Sequence, residues 1–278
     1  MAISVKNLNY TYPNGFKALE NISCEIERGK KTAVLGLNGS GKSTLLQHFN
    51  GIILPQTGSV KILGMESNKK NLNTIREKVG FLFDYPDHQL FSTTVYKDIQ
   101  FGLDNFGCEE KEKERRIKEV SEHLGIVELW QKVPHQLSLG QKKKVATAGL
   151  LVLKPEIVVC DEPFSGLDSL ALEYFKNLLD SWVGEGRTVV FSTHDVNLTY
   201  EWADNVLIMR QGRLLHSGSA DIMGDQAIYE ETGLSEPTLY SLFKDRESKP
   251  RTLSEAIDYI NTKDGKTSPD TLLNKINE

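Results

Sequence analysis

The sequence predicts an α/β protein: a parallel sheet flanked by helices, with a small antiparallel sheet beside it. Three observations carry this prediction. Short apolar runs alternate with helical patterns through the second half of the chain, as strand–helix–strand units require. Gly36-Leu37-Asn38-Gly39-Ser40-Gly41-Lys42-Ser43-Thr44 stands between an apolar strand and a helix. Residues 3–12 alternate apolar and polar, the pattern of a strand with one buried face.

Taken in order, Ile3, Val5, Leu8, Tyr10 and Tyr12 mark the first strand, and Pro13-Asn14-Gly15 turns it. Leu19, Ile22, Cys24 and Ile26 mark a second strand, closed at Arg28-Gly29. Thr32 to Leu35 reads as a buried strand, and Leu45, Leu46 and Phe49 as one side of a helix ending at Gly51. Pro55 to Gly58 turns into a short strand from Ser59 to Leu63, which completes the antiparallel sheet.

Lys78 to Phe83 is a core strand, and Asp84 to Phe91 a loop. Val95, Ile99 and Phe101 open helical territory. Glu109 to Leu124 is a charged helix with Ile117, Val120 and Leu124 on one stripe, stopped by Gly125. A further helix is expected from about Lys142 to Leu153, with Lys142-Lys143-Lys144 as its solvated first turn. Ile157 to Cys160, Arg187 to Ser192 and Asn205 to Met209 are strands, with a helix from Ser169 to Trp182. Gln211-Gly212 is a hairpin turn into Arg213 to His216. Past Phe243 the chain turns polar. Thr252 with Glu255 fits a capping box, and Ser268-Pro269 a helix start, so residues 243–278 read as a helical or loosely ordered extension.

The 278 residues carry a net charge of −5, which gives no support for a nucleic-acid partner. No stretch approaches the roughly 20 apolar residues of a membrane span. Met1 to Lys6 lacks the apolar core of a signal peptide. Cys24, Cys108 and Cys160 are odd in number and widely spaced, so reduced thiols in a cytosolic protein are expected.

The chemistry gathers at loop ends. In the glycine-rich stretch, Gly36, Leu37, Asn38, Gly39, Ser40 and Gly41 let backbone N–H groups converge on one anion. The helix N-terminus around Thr44 adds partial positive charge. Lys42 reaches the β- and γ-phosphates of a nucleotide, and the Ser43 hydroxyl ligates Mg²⁺. Asp161 closes an apolar strand, where a carboxylate holds Mg²⁺. Glu162 follows it as a general base. His194 ends another core strand, where open α/β sheets bind ligands.

From Tyr12 to about Gly218 these residues resemble the nucleotide-binding subunit of an ABC transporter. Leu137-Ser138-Leu139-Gly140-Gln141 resembles the signature motif, Ile157 to Asp161 the Walker B strand, and Ser165-Gly166-Leu167-Asp168 the D-loop. The resemblance makes Glu162 the catalytic glutamate, His194 the switch histidine and Tyr12 the aromatic that stacks on adenine. It implies a P-loop NTPase core with an antiparallel β subdomain and a helical subdomain near residues 84–150, together spanning residues 1–242. It also implies a dimer in which Ser138, Gly140 and Gln141 of one subunit meet the γ-phosphate held by the other. ATP and Mg²⁺ are the implied cofactors.

Two positions depart from the family. Leu139 stands where a glycine is usual. Asp84 stands where the Q-loop glutamine contacts Mg²⁺ and the attacking water, with Gln89 nearby but out of register. A carboxylate about 4 Å from a phosphate charge repels it by roughly 4 kcal/mol at an effective dielectric near 20, and Mg²⁺ ligation reverses that sign. Within the family, residues 83–91 and Ser192-Thr193-His194-Asp195-Val196 look like the ATPases of energy-coupling-factor importers. Tyr200-Glu201-Trp202-Ala203-Asp204 looks closest to the cobalt and nickel branch. The implied setting is peripheral, at the cytoplasmic face of a membrane, with a second ATPase subunit and an integral membrane component as partners. The competing readings are a soluble ABC-type ATPase, for example in cluster assembly, and a low-activity nucleotide-binding subunit.

Overall fold

The structure is a computed structural model and describes residues 1–263. The chain opens with β1 (Ile3–Thr11), β2 (Lys17–Ile26), β3 (Lys31–Leu35) and helix α1 (Lys42–Phe49). β4 (Thr57–Ile62), β5 (Met65–Glu66), α2 (Leu72–Lys78) and β6 (Val79–Leu82) follow. Three helices come next: α3 (Val95–Asn105), α4 (Glu110–Leu124) and α5 (Leu139–Leu151). The core resumes with β7 (Ile157–Cys160), α6 (Ser169–Gly184), β8 (Thr188–Thr193), α7 (Val196–Trp202), β9 (Asn205–Arg210) and β10 (Arg213–Ser219). α8 (Gln226–Thr232), α9 (Thr238–Phe243) and α10 (Leu253–Lys263) complete the described residues.

Two sheets form. The antiparallel sheet has the order β2-β1-β4-β5. The larger has the order β10-β9-β3-β8-β7-β6, parallel from β9 to β6, with β10 antiparallel at its edge. Strand alternation divides the core between the two faces of this sheet. Val34, Ile157, Val159 and Val190 join Leu45, Leu46 and Phe49 of α1 and the antiparallel sheet. Ala33, Leu35, Val158, Cys160, Val189 and Phe191 face the other way, onto the larger set of helices. The strands are buried on both faces, so they read as continuous apolar runs.

Helix α5 begins at Leu139, three residues before the expected Lys142, because Ser138 caps it. The sequence reading gave no sign of β5, α2, α8 or α9. In α2 Ile75 alone is buried, too little for an apolar stripe. α10 forms where the Thr252–Glu255 pair predicted a helix. Thr252 Oγ1 accepts from the Glu255 N–H at 3.2 Å, but the Glu255 carboxylate accepts from Arg251 N, one residue before the expected partner. The predicted helix start at Ser268 lies outside the described residues.

Gly80 of β6 sets how closely α5 approaches the sheet. A Cβ there would lie 2.5 Å from Leu150 Cγ. Gly80→Ala is expected to destabilise the fold by about 1–3 kcal/mol through overpacking. Urea unfolding of the two chains checks this, and equal midpoints would show that Leu150 yields freely.

Candidate active site

The glycine-rich loop leaves β3 at Leu35 and enters α1 at Lys42. Its entry into the helix depends on Gly41, whose φ of +103° disfavours any side chain and whose Cβ would lie 2.7 Å from the Ala18 carbonyl oxygen. Gly41 caps α1 without a side-chain hydrogen bond, and the first turn carries no acid. The leading N–H groups of the helix therefore have no side-chain acceptor and suit an anion. Ser40 Oγ is buried without a partner. Gly36 is buried, while Leu37, Asn38, Gly39 and Ser43 are exposed. Lys42 is 6 % exposed; its Nζ donates to the Gly36 carbonyl at 2.8 Å and the Leu37 carbonyl at 3.3 Å. An orphaned hydroxyl, free helix N–H groups and a buried ammonium fit the phosphates of ATP. Thr44 is buried, with its hydroxyl 3.0 Å from the Tyr12 hydroxyl. Tyr12 itself stands edge-on to Tyr10, with ring centroids 5.0 Å apart.

The ends of β7 and β8 bring the acids to this loop. Asp161 is buried, and its Oδ1 accepts from Ser192 Oγ at 2.6 Å. The same Ser192 oxygen accepts from the Glu162 N–H at 2.8 Å. Glu162 has a φ of +43°, a left-handed backbone that persists only where the surroundings hold it. Its carboxylate lies 3.4 Å from Lys42 Nζ and 3.3 Å from His194 Nδ1. Lys42, Asp161, Glu162 and His194 thus converge as the sequence predicted. Ser192, which links the two acids, was not singled out; its place two residues before His194 on a buried strand is the signal that could have found it. Ser43 and Asp161 present oxygen donors of the hard kind that suits Mg²⁺. Among the described residues no group of three His, Cys, Asp or Glu side chains forms a metal cage by itself.

Asp84 is half-buried in the loop after β6. Burial pushes its carboxyl pKa up, and the nearby Asp161 and Glu162 push it further, while Lys143 and His88 oppose them. Gln89 does not turn toward this cluster: its Nε2 donates to the Ala146 carbonyl of α5 at 2.9 Å.

The start of α5 stands apart. Ser138 Oγ accepts from the Gln141 N–H at 3.3 Å, and Gln141 Oε1 accepts from the Ser138 N–H at 3.1 Å, a complete capping box. A Cβ on Gly140 would touch nothing, so this face is open. Leu139 is exposed beside the D-loop, where a Cβ on Gly166 would come 2.9 Å from Leu139 Cδ2. Among the described residues no hydrogen bond or ion pair joins Ser138, Gly140 or Gln141 to the phosphate loop.

The reading of Lys142-Lys143-Lys144 as a solvated turn is corrected. Lys142 pairs with Asp87 at 2.6 Å, and Lys144 stacks 4.5 Å from the Tyr174 ring centroid. Lys143 is 2 % exposed, and its Nζ donates to the Pro163 and Ser165 carbonyls at 2.8 and 2.6 Å. Its spacing from Ala146, Thr147 and Leu150, all buried, places it on the inward stripe of α5.

Ser192→Ala would leave the partly buried Glu162 N–H without its acceptor, at a cost of about 1 kcal/mol to that arrangement. ATP turnover is expected to fall by at least about tenfold with ATP binding retained, as steady-state kinetics and equilibrium binding would show. Unchanged turnover would mean that Glu162 is held without the serine.

Comparison with known proteins agrees with this geometry. The family model described as ABC transporter matches residues 19–165. The energy-coupling factor transporter ATP-binding protein EcfA of Carboxydothermus hydrogenoformans is 42% identical over 259 residues, covering 92% of this chain and 96% of its own. The structure of cbiO1 from Clostridium perfringens, described as part of the ABC transporter complex cbiONQ, superposes with a TM-score of 0.72 at 37% identity. It covers 87% of this chain and 98% of that one. A dimeric ATP-binding cassette in a post-hydrolysis state, bound to ADP and Pi, superposes with a TM-score of 0.72 at 27% identity, over 78% of this chain and 98% of that one. With the phosphate loop, the strand-end acids and these likenesses together, the chain belongs to the ABC transporter family, as one of its ATP-binding, ATP-hydrolysing members.

Proposed function

We propose that this chain is the ATPase subunit that energises an energy-coupling-factor importer for cobalt, nickel or another micronutrient. The observation that carries the catalytic part is the Glu162 carboxylate, held between Lys42 and His194 beside the phosphate loop. In this reading Glu162 accepts the proton of the attacking water, and His194 orients the carboxylate. Lys42 releases its loop carbonyls and grips the β- and γ-phosphates of ATP. Ser43 and Asp161 would hold Mg²⁺, with Asp84 as a further ligand. The ion supplies charge neutralisation between the phosphates. Tyr12 flanks the adenine.

The open cap of α5 supports a shared site. Gly140 presents a helix N–H that the capping box leaves without a side-chain acceptor, and Ser138 and Gln141, which bond each other, flank it, an arrangement that suits the γ-phosphate of a partner copy or close paralogue. We read the ATPase domain as residues 1–242, its helical subdomain as about 84–150, and the extension as residues 243–278.

Docking to a membrane component is supported by a groove of about 590 Å³ between α2, α3 and α5. Phe91 and Phe101 stand exposed on it, edge to face at 4.8 Å. Gln89 Oε1 and Asp98 Oδ2 line it, buried and without donors. An apolar groove with exposed aromatic rings on it fits a partner segment carrying apolar side chains. Among the described residues no helix is long and apolar enough to cross a membrane, so the membrane location rests on that partner. The Asp84 carboxylate favours one second reading, a nucleotide-binding subunit of low turnover, which an ATPase assay on the purified chain separates.

Glu162→Gln is expected to retain ATP binding, to lose turnover by about 100-fold or more, and to accumulate an ATP-bound dimer in size-exclusion chromatography. Parent-like turnover would remove Glu162 from the role. Phe91→Asp combined with Phe101→Asp is expected to abolish copurification of a membrane protein while sparing soluble ATPase activity. Copurification that survives the pair places the docking surface elsewhere.

A further inference from the structure

Lys143 is a buried cation on the helix that carries the signature cap. Burying an ammonium is costly unless charge and hydrogen bonds compensate it, and burial here pushes its pKa down. Two of its three N–H donors go to the Pro163 and Ser165 carbonyls. Pro163 follows Glu162 directly, and Ser165 is the first residue of the D-loop. Among the described residues no acceptor lies within bonding distance of the third donor. The carboxylates that bear on it electrostatically are Asp84 and Glu162. The neighbouring Cys160 adds no charge, because burial pushes its thiol up to about 12.

Asp84, Asp161 and Glu162 crowd one region. Lys42 answers Glu162 directly, and Ser192 bonds Asp161. Asp84 has neither an ion pair nor a hydrogen bond among the described residues. Lys143 is the cation that bears on it; His88, the other basic side chain nearby, is exposed and therefore screened by solvent.

We propose that Lys143 is a positioning residue that clamps the backbone after Glu162 to the signature helix and serves as counter-charge to Asp84. The proposal rests on the reading of Glu162 as proton acceptor. With the clamp in place, the carboxylate at position 84 has a fixed positive charge bearing on it. Without the clamp, residues 163–165 lose two hydrogen bonds, and Asp84 stands unopposed beside Asp161 and Glu162.

The test is a double-mutant cycle on the full-length chain, with kcat, KM for ATP and thermal midpoint measured for each variant. Lys143→Gln keeps a donor for the carbonyls and removes the charge. Its kcat is expected to fall by about tenfold with KM within about twofold, and Lys143→Arg to recover most of that loss. The factor by which Asp84→Asn changes kcat is expected to be at least about threefold more favourable in Lys143→Gln than in the parent, where the same substitution also removes a proposed Mg²⁺ ligand and lowers turnover. A purely structural lysine would lower the midpoint without this background-dependent response to Asp84→Asn. Parent-like kcat in Lys143→Gln overturns the positioning role. An equal Asp84→Asn factor in both backgrounds overturns the counter-charge. If Lys143→Gln folds poorly, the cycle is read in thermal midpoints: Asp84→Asn should raise the midpoint of the Lys143→Gln chain more than the parent's, and equal shifts overturn the pairing. Glu162→Gln runs alongside. Parent-like turnover there faults the proton acceptor, not Lys143.

Discussion

Two buried ammonium groups set the charge balance around which this site is built. Lys42 pairs with Glu162 itself and Lys143 holds the residues after it, and both spend donors on backbone carbonyls. A buried cation without partners is far more costly than a neutral side chain, so each lysine fixes the backbone that supplies its oxygens. Lys42 fixes the phosphate loop at Gly36 and Leu37. Lys143 fixes the turn at Pro163 and Ser165. Glu162 takes a left-handed backbone angle that the Ser192 hydroxyl helps to hold. Bound nucleotide brings further negative charge to Lys42. In the proposed mechanism the glutamate then gives up part of its ion pair as it takes up its role toward the attacking water.

The sheet brings these groups together. β3, β7 and β8 are parallel neighbours, so their carboxyl ends open on one edge. Leu35 pairs with Thr193 and Cys160 with Phe191. Register alone therefore sets the phosphate loop, the acid pair and His194 side by side. The antiparallel sheet covers the opposite face of the core and carries Tyr12 to Thr44 at the start of α1.

Most of this architecture was legible because buried parallel strands are apolar throughout and end abruptly in polar residues. Ile157 to Cys160 matched its predicted bounds, and the acids fell where the apolar run stopped. α2, α8 and α9 were not legible, since each is short and α2 buries Ile75 alone. The charge run Lys142-Lys143-Lys144 misled for a physical reason. Composition reports that lysines are soluble on average, but helical phase decides which one turns inward. Ser192 escaped notice because its role lies in pairing between distant strands, with Asp161 thirty-one residues away.

Helix α5 joins the parts of the site that sequence alone keeps separate. Its 13 residues make a rod of about 20 Å. Ser138 and the open cap lie at one end. Lys143, one turn in, holds the loop after Glu162. Ala146 accepts from Gln89, and Leu150 lies over Gly80 of β6 at the groove wall. A helix packed this closely moves as a unit, because its neighbours leave little room for local bending. Pressure on the groove through Gln89 or Leu150 therefore displaces the cap and the Lys143 clamp together. In the proposed dimer, closure of a partner copy onto the cap would push along the same rod in the opposite direction. Groove and hydrolysis site are thus linked by one rigid element, and Lys143 is where that element touches the chemistry.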